Sequence, residues 1–277
     1  MGLTTDVEIC NLALAKMGHN AAITAAQLAT PSNPASRQCN RLYEPERDLV
    51  MQSHPWGFAM QRVVYDVDDF DDIITGTTAA SPVVVTGTDI SVANIVEGAG
   101  VYLWGTGIDD LDKKMFIATT VVDAAETFEL YQIDRTTKVN GAAFGVATAG
   151  YARLRPLWEY EYMFKLPADC LQVHKVDGKD TGFKQEGGFL LTNSDEPQVK
   201  YVKLITTVSA YPKSFINCFA TKLAAELAVA LGEKSITKAK LLEELLVIHL
   251  PEAKRLNAIE GDVDNPSEDS AWQKAGR

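Results

Sequence analysis

Between Pro212 and Gly232 the residues Phe215, Phe219, Leu223, Leu227 and Leu231 recur at every fourth position, with Ile216, Ala220, Ala224 and Ala228 beside them. That spacing gathers on one side of a helix, and the resulting stripe is broad enough that other parts of the chain must cover it. Both ends of the chain offer partners. Asp6 is placed to cap a helix carrying Val7, Ile9, Leu12, Leu14 and Met17, with Gly18 just past its end. Beyond the polar stretch Thr30-Pro31-Ser32-Asn33-Pro34, a longer helix is predicted from about Ala35 to Ser53. Its apolar face is Leu42, Tyr43, Leu49 and Val50, and its charged face is Arg37, Arg41, Glu44 and Arg47. Pro45 lies inside it and should kink or weaken it. His54-Pro55-Trp56-Gly57-Phe58-Ala59 ends this helix, and Trp56 and Phe58 are expected to pack under a β layer. Ser235 is placed to cap a last helix carrying Ile236, Leu242, Leu245, Leu246, Leu256 and Ile259, bent at Pro251.

The middle of the chain changes character. From Ile73 to Arg153 it is rich in Thr, Val, Gly and Ala, with short runs that read as strands: Val83–Val85, Gly100–Trp104, Lys114–Ala118 and Thr127–Leu130. Strands separated by Gly-rich turns predict a small β-barrel or sandwich, a module of roughly 80 residues inserted at 73-153. Met60–Val67 before it is moderately strand-like. After it, Tyr160–Leu166 and Cys170–Val176 read as strands around Pro167-Ala168-Asp169. Gly188–Leu191 and Val199–Ile205 read as a second pair around Asn193-Ser194-Asp195. The fold class expected is α+β: a helical bundle formed from both chain ends, a β-sheet region, and a small inserted all-β domain. Residues 1-70 and 154-277 form the core on this reading.

Chemistry is sparse. The four cysteines, Cys10, Cys39, Cys170 and Cys218, are far apart and read as buried thiols. The four histidines, His19, His54, His174 and His249, show no ligand spacing, so neither a metal nor another cofactor is expected. The Gly-rich pieces lack the Gly-Lys-Ser/Thr ending of a phosphate loop, and Gly-x-Ser-x-Gly is missing. The chain is therefore expected not to be an enzyme. A net charge of −11, from 37 acidic and 26 basic residues, disfavours tight nucleic-acid binding. No run of about eighteen apolar residues indicates a membrane span. Met1–Asp6 lacks the profile of a secretory signal, so assembly in a cytoplasm is expected. The clustered Asp66, Asp68, Asp69, Asp71 and Asp72 are the best place to look for paired carboxylates, or for a calcium ion, although linker aspartates are usually solvated. Trp272, alone in a polar tail, is either a tail aromatic without a fixed place or an anchor that docks on a partner.

Several segments together carry a resemblance. They are Ile9-Cys10-Asn11-Leu12-Ala13-Leu14, Cys39-Asn40-Arg41-Leu42-Tyr43 with Arg47-Asp48-Leu49, His54-Pro55-Trp56-Gly57-Phe58-Ala59, Tyr162-Met163-Phe164-Lys165-Leu166-Pro167-Ala168-Asp169-Cys170-Leu171, and Leu223-Ala224-Ala225-Glu226-Leu227-Ala228. In this order they resemble the tail tubular protein A family, the head-to-tail adaptors of short-tailed bacteriophages. The resemblance spans roughly residues 6 to 70 and 155 to 260. The 73-153 module departs from the shorter members and looks like a β-domain inserted in many phage structural proteins. That domain is similar in fold to the first catalytic-cysteine half-domain of ubiquitin-activating enzymes, but no cysteine lies within it here.

The resemblance implies a structural protein of the virion neck, assembled in the host cytoplasm. It implies a ring of about twelve copies below the portal, closed by head-to-tail contacts. The portal protein and the tail nozzle protein are the implied partners, with Trp272 a candidate portal-binding anchor. The helical bundle would sit towards the portal and the β region towards the nozzle. DNA would pass through the lumen unheld, since an acidic wall makes no phosphate contacts. Two rival readings stand beside it: a tail-associated polysaccharide or peptidoglycan hydrolase using Asp68, Asp69, Asp71 and Asp72, and a glycan-binding module at 73-153.

Overall fold

The helices at the two ends of the chain are α1 (Asp6–Lys16), α2 (Ala25–Ala29), α3 (Pro34–Gln52), α4 (Lys213–Ala230), α5 (Ser235–Glu244) and α6 (Leu250–Glu260). The computed structural model describes residues 5–19, 22–66, 71–88, 90, 95–231 and 235–260. Two compact units divide the chain, residues 1–61 with 202–277 and residues 62–201.

In the first unit α4 is enclosed. Phe215, Cys218, Phe219, Ala220, Leu223, Ala224, Ala225 and Leu227 are wholly removed from solvent, and α1, α3, α5 and α6 all pack on this helix. Each large side chain so buried contributes about 1.5–3 kcal/mol. The one buried hydroxyl on α4, Thr221, donates to Asn217 O at 2.8 Å, so burial leaves it satisfied.

Local chemistry corrects several expectations. Thr5, not Asp6, caps α1: the Glu8 amide donates to Thr5 Oγ1 at 3.4 Å and the Thr5 amide donates to Glu8 Oε2 at 3.0 Å. Asp6 instead accepts from the Tyr43 hydroxyl at 2.7 Å, tying α1 to α3. The α2 turn, with its Thr24–Gln27 capping box, stands where no helix was expected. α3 runs unbroken through Pro45, which lies on the exposed side where water can take the carbonyl that the proline leaves unpaired. The faces of α3 also differ from the expected ones: Leu49 is 53% exposed whereas Glu46 and Arg47 are buried. Arg47 Nε donates to Asp48 Oδ1 at 2.8 Å, which compensates its burial. Trp56 and Phe58 pack not under a β layer but on α4. Their rings meet Phe215 edge-on at 5.3 and 4.9 Å, and Trp56 Nε1 donates to Val50 O.

The last helical region carries a feature before Pro251 that the sequence does not announce. Leu245–His249 form a π-helical turn between α5 and α6. Pro251 has no amide to donate and its ring crowds the preceding turn, and the wider π turn makes room for it.

The second unit holds β2 to β11 and most of β1 (Met60–Val64) and β12 (Gln198–Lys203). Strands β2 (Asp72–Thr77), β3 (Val84–Thr88), β4 (Gly100–Trp104), β5 (Lys114–Val122), β6 (Thr127–Tyr131) and β7 (Tyr151–Leu154) close into a barrel in the order β2-β3-β6-β5-β4-β7. Its inward positions alternate along each strand and fill the lumen with Val85, Val101, Leu103, Phe116, Phe128, Leu130 and Ala152. Closure decides between the barrel and the sandwich that the strand spacing left open.

The remaining strands are β8 (Tyr162–Lys165), β9 (Cys170–Val176), β10 (Phe183–Glu186) and β11 (Phe189–Thr192). The expected pairs are redistributed: β8, β11 and β10 form one sheet and β1, β12 and β9 another. All four residues of β11 are buried, so it takes a partner on each edge rather than pairing with β12. β10 was not expected, because its exposed Lys184, Gln185 and Glu186 carry no strand pattern.

Two predictions follow from packing and charge. A Cβ on Gly87 would meet Ile73 O at 2.3 Å and Ile90 Cδ1 at 2.6 Å. Gly87→Ala should lower barrel stability by about 1–3 kcal/mol in a denaturant titration. In the helical unit Glu46 is buried beside α4, with Lys222 Nζ 3.7 Å from its Oε2, and burial raises its carboxyl above the ordinary range. A raised carboxyl binds its proton more readily when folded. Its contribution is therefore full below 4.5 and is lost as pH rises through the raised value. Urea midpoints at about pH 4 and about pH 8 should show Glu46→Gln gaining on the parent chain as pH rises.

Candidate functional site

Of the acidic cluster, Asp66, Asp71 and Asp72 lie among the described residues. Asp71 is held by Arg153, whose Nη2 donates to Asp71 Oδ2 at 2.7 Å while Nε donates to Oδ1. This is the bidentate geometry that an arginine fork offers a carboxylate. Asp72 is buried within β2 opposite Ala152, and Asp66 is exposed. Asp68, Asp69 and Trp272 lie outside the described residues.

The histidines are dispersed, whereas Cys10 and Cys39 lie within hydrogen-bonding reach of each other. His54 meets the Trp56 ring edge-on at 4.9 Å, and its Nε2 is 3.2 Å from Asn257 Nδ2. His249 Nε2 is 2.9 Å from Glu244 Oε1. Burial, followed by Lys200 and Lys175, lowers the His174 pKa. Cys10, Cys39 and Cys218 are buried free thiols, and Cys170 is half-buried and also free. The hydrogen bond to Cys39, followed by burial, pushes the Cys10 thiol up. Among the described residues no group of three or more His, Cys, Asp and Glu is gathered to hold a metal ion, and no helix is long and apolar enough to cross a membrane.

Three surfaces stand out instead. The first is the outside of the barrel along β4 and β7. Alternation sends Val101, Leu103, Ala152 and Leu154 inward and leaves Tyr102, Trp104, Tyr151 and Arg153 outward. Trp104 stacks on Tyr102 at 5.8 Å and on Tyr151 at 5.5 Å, Arg153 lies over Trp104 at 5.0 Å, and Arg155 lies over Tyr102 at 5.1 Å. Gly100–Trp104 reads as a strand from sequence but Tyr151–Leu154 was not expected as one, so the ladder across the two was missed, although Tyr102-x-Trp104 and Tyr151-x-Arg153-x-Arg155 carry its period of two.

The second surface is a recess of about 360 Å³ in the same unit, bordered by Arg135, Arg155, Trp158, Glu159, Lys184 and Glu186. Trp158 is 72% exposed there. Lys184 Nζ is 2.8 Å from Glu186 Oε1 and 3.8 Å from Glu159 Oε2. Sequence reasoning missed this group because its residues come from three separate stretches, one of them the unexpected β10.

The third is apolar and lies on the helical unit. Leu246, Val247 and Ile248, consecutive in the π-helical turn, are 62%, 68% and 54% exposed. Scattered apolar residues are ordinary on a surface, but three large neighbours in one turn mark a surface suited to a partner.

No protein-family model matches the sequence, and no curated protein matches it significantly. The Asp71–Arg153 pair offers a direct check on the carboxylate cluster. Asp71→Ala leaves a half-buried guanidinium without its carboxylate, so barrel stability should fall by about 1–3 kcal/mol in thermal or denaturant unfolding.

Proposed function

We propose that this chain is a structural virion protein, the head-to-tail adaptor of a short-tailed bacteriophage. It forms a ring, joins the portal to the tail nozzle and lines part of the DNA ejection conduit. One observation carries this reading: four of the five segments that resemble the adaptor family, distant in sequence, pack together around α4. α1 and α3 lie on it, Trp56 and Phe58 of the His-Pro-Trp-Gly-Phe-Ala segment meet its Phe215 edge-on, and its own Leu223–Ala228 segment is buried apart from Glu226. Asn257 of α6 fastens the same segment, accepting from the Gly57 amide at 2.6 Å. The segments are thus the parts of one core, which is what selection for a shared architecture would retain.

On this reading the core is a helical bundle from residues 1-70 and 154-277, and the barrel is an insertion within it. The ring holds about twelve copies, each meeting the next through a heterologous contact that closes by rotation. The exposed Leu246-Val247-Ile248 turn supplies apolar surface for such an assembly. The charge of −11 suits a lumen through which DNA slides without phosphate contacts. No catalytic step is assigned to any residue.

The test uses the exposed turn. Val247→Asp should leave the melting temperature of the free chain within about a degree or two, since the side chain is exposed. The same variant should reduce assembly onto the portal about tenfold or more, read by native mass spectrometry or sedimentation. Full assembly by Val247→Asp and Leu246→Asp alike would remove this turn from the ring contact.

A further inference from the structure

We infer that the recess bordered by Arg135, Arg155 and Trp158 binds an anionic saccharide, with a sugar face on the Trp158 indole and the sugar's carboxylate or phosphate on the two guanidinium groups. The inference goes beyond the adaptor reading and does not rest on it.

Charge is the first argument. The chain as a whole is strongly acidic, yet three cations meet two carboxylates around this recess. Lys184 occupies both acids, Glu186 at 2.8 Å and Glu159 at 3.8 Å. Arg135 and Arg155 have no ion-pair partner among the described residues. Arg155 lies over the Tyr102 ring at 5.1 Å, which fixes the plane of its guanidinium while leaving the N–H edge free to donate. Two such forks suit a carboxylate or a phosphate.

Backbone geometry is the second argument. Arg135 and Glu159 are non-glycine residues at φ +62° and +71°, a region that costs of order 1 kcal/mol or more and collects at functional positions. Arg135 is held there by a turn in which Asp134 accepts from the amides of Thr136 at 2.9 Å and Thr137 at 2.8 Å, and from the Thr137 hydroxyl at 2.6 Å. Those bonds hold the Asp134 carboxyl down at about 2, so the turn stays anchored across the physiological range. Glu159 centres a three-residue turn closed by the Tyr160 amide on Trp158 O at 2.9 Å, a rare and strained form. This tight reversal sits beside the indole that stands 72% exposed at the mouth of the recess. Two of the six positive-φ non-glycine residues among the described residues thus border this one recess.

Ligand chemistry is the third argument. The recess of about 360 Å³ matches a small ligand site. Its apolar border is the Trp158 indole with Pro156, Leu157, Met163 and Leu191, and the exposed indole offers a flat face to a sugar ring. The Lys184–Glu186–Glu159 group supplies donors and acceptors together, which a set of sugar hydroxyls can satisfy. Arg155, Trp158 and Lys184 all lie outside residues 73-153, so the site differs from one confined to the barrel.

The full chain is titrated calorimetrically with trigalacturonic acid, mannose 6-phosphate, neutral maltotriose and a hexaglutamate peptide. At least one of the two anionic sugars should bind about tenfold tighter than maltotriose and tighter than hexaglutamate. Trp158→Ala and the double variant Arg135→Ala/Arg155→Ala should each weaken that binding about tenfold or more without lowering the melting temperature, because these side chains border solvent. Trp158→Phe should retain most of it. The proposal is overturned if neither anionic sugar exceeds maltotriose, if hexaglutamate binds as tightly as the sugars, or if the folded variants bind like the parent chain.

Discussion

A helix with most of its apolar residues buried against other helices cannot be stable alone, and α4 is such a helix. Its phenylalanines and leucines reach water only if α1, α3, α5 or α6 is removed. The first residues of the chain and its last helices must therefore meet around one element, although more than 150 residues separate α1 from α4. That separation has a loop-closure cost which grows only slowly with length, so a long intervening module is tolerated once the helical contacts reward it. The aromatic cluster of Trp56, Phe58, Tyr211 and Phe215 completes the enclosure.

The module between these helices solves its own burial problem. Six antiparallel strands closed into a barrel leave no free edge inside that sheet, and the small lumen is filled by side chains. A barrel so filled has no interior left for a ligand. Whatever it recognises must meet its outer face, where the aromatic and arginine ladder of β4 and β7 lies, or the loops around it. Arg155 belongs to both the ladder and the recess, since it stacks on Tyr102 while its free edge borders Trp158.

Much of the architecture was legible because period and turn chemistry act locally. The stripe from Phe215 to Leu227 gave α4, and Gly100–Trp104 read as a strand to the residue. What escaped depended on tertiary partners. Nothing local says that Arg47 will be buried against Asp48 while Leu49 faces solvent, or that β11 will pair on both edges and part from β12. β10 escaped because an exposed edge strand with Lys, Gln and Glu carries no apolar alternation. Missing it also hid the recess, which needs Lys184 beside residues from the 135 and 155–159 stretches. The aspartates at 66–72 attracted attention for their density, yet Asp71 was already committed to an arginine 82 positions away.

The proposed adaptor function is tested most directly by imaging the full chain mixed with the portal protein of a short-tailed bacteriophage. A head-to-tail adaptor gives a closed ring of about twelve copies, coaxial with the portal, with the helical unit on the portal side. Portal particles that carry no ring, or that bind the chain only as scattered single copies, would contradict it.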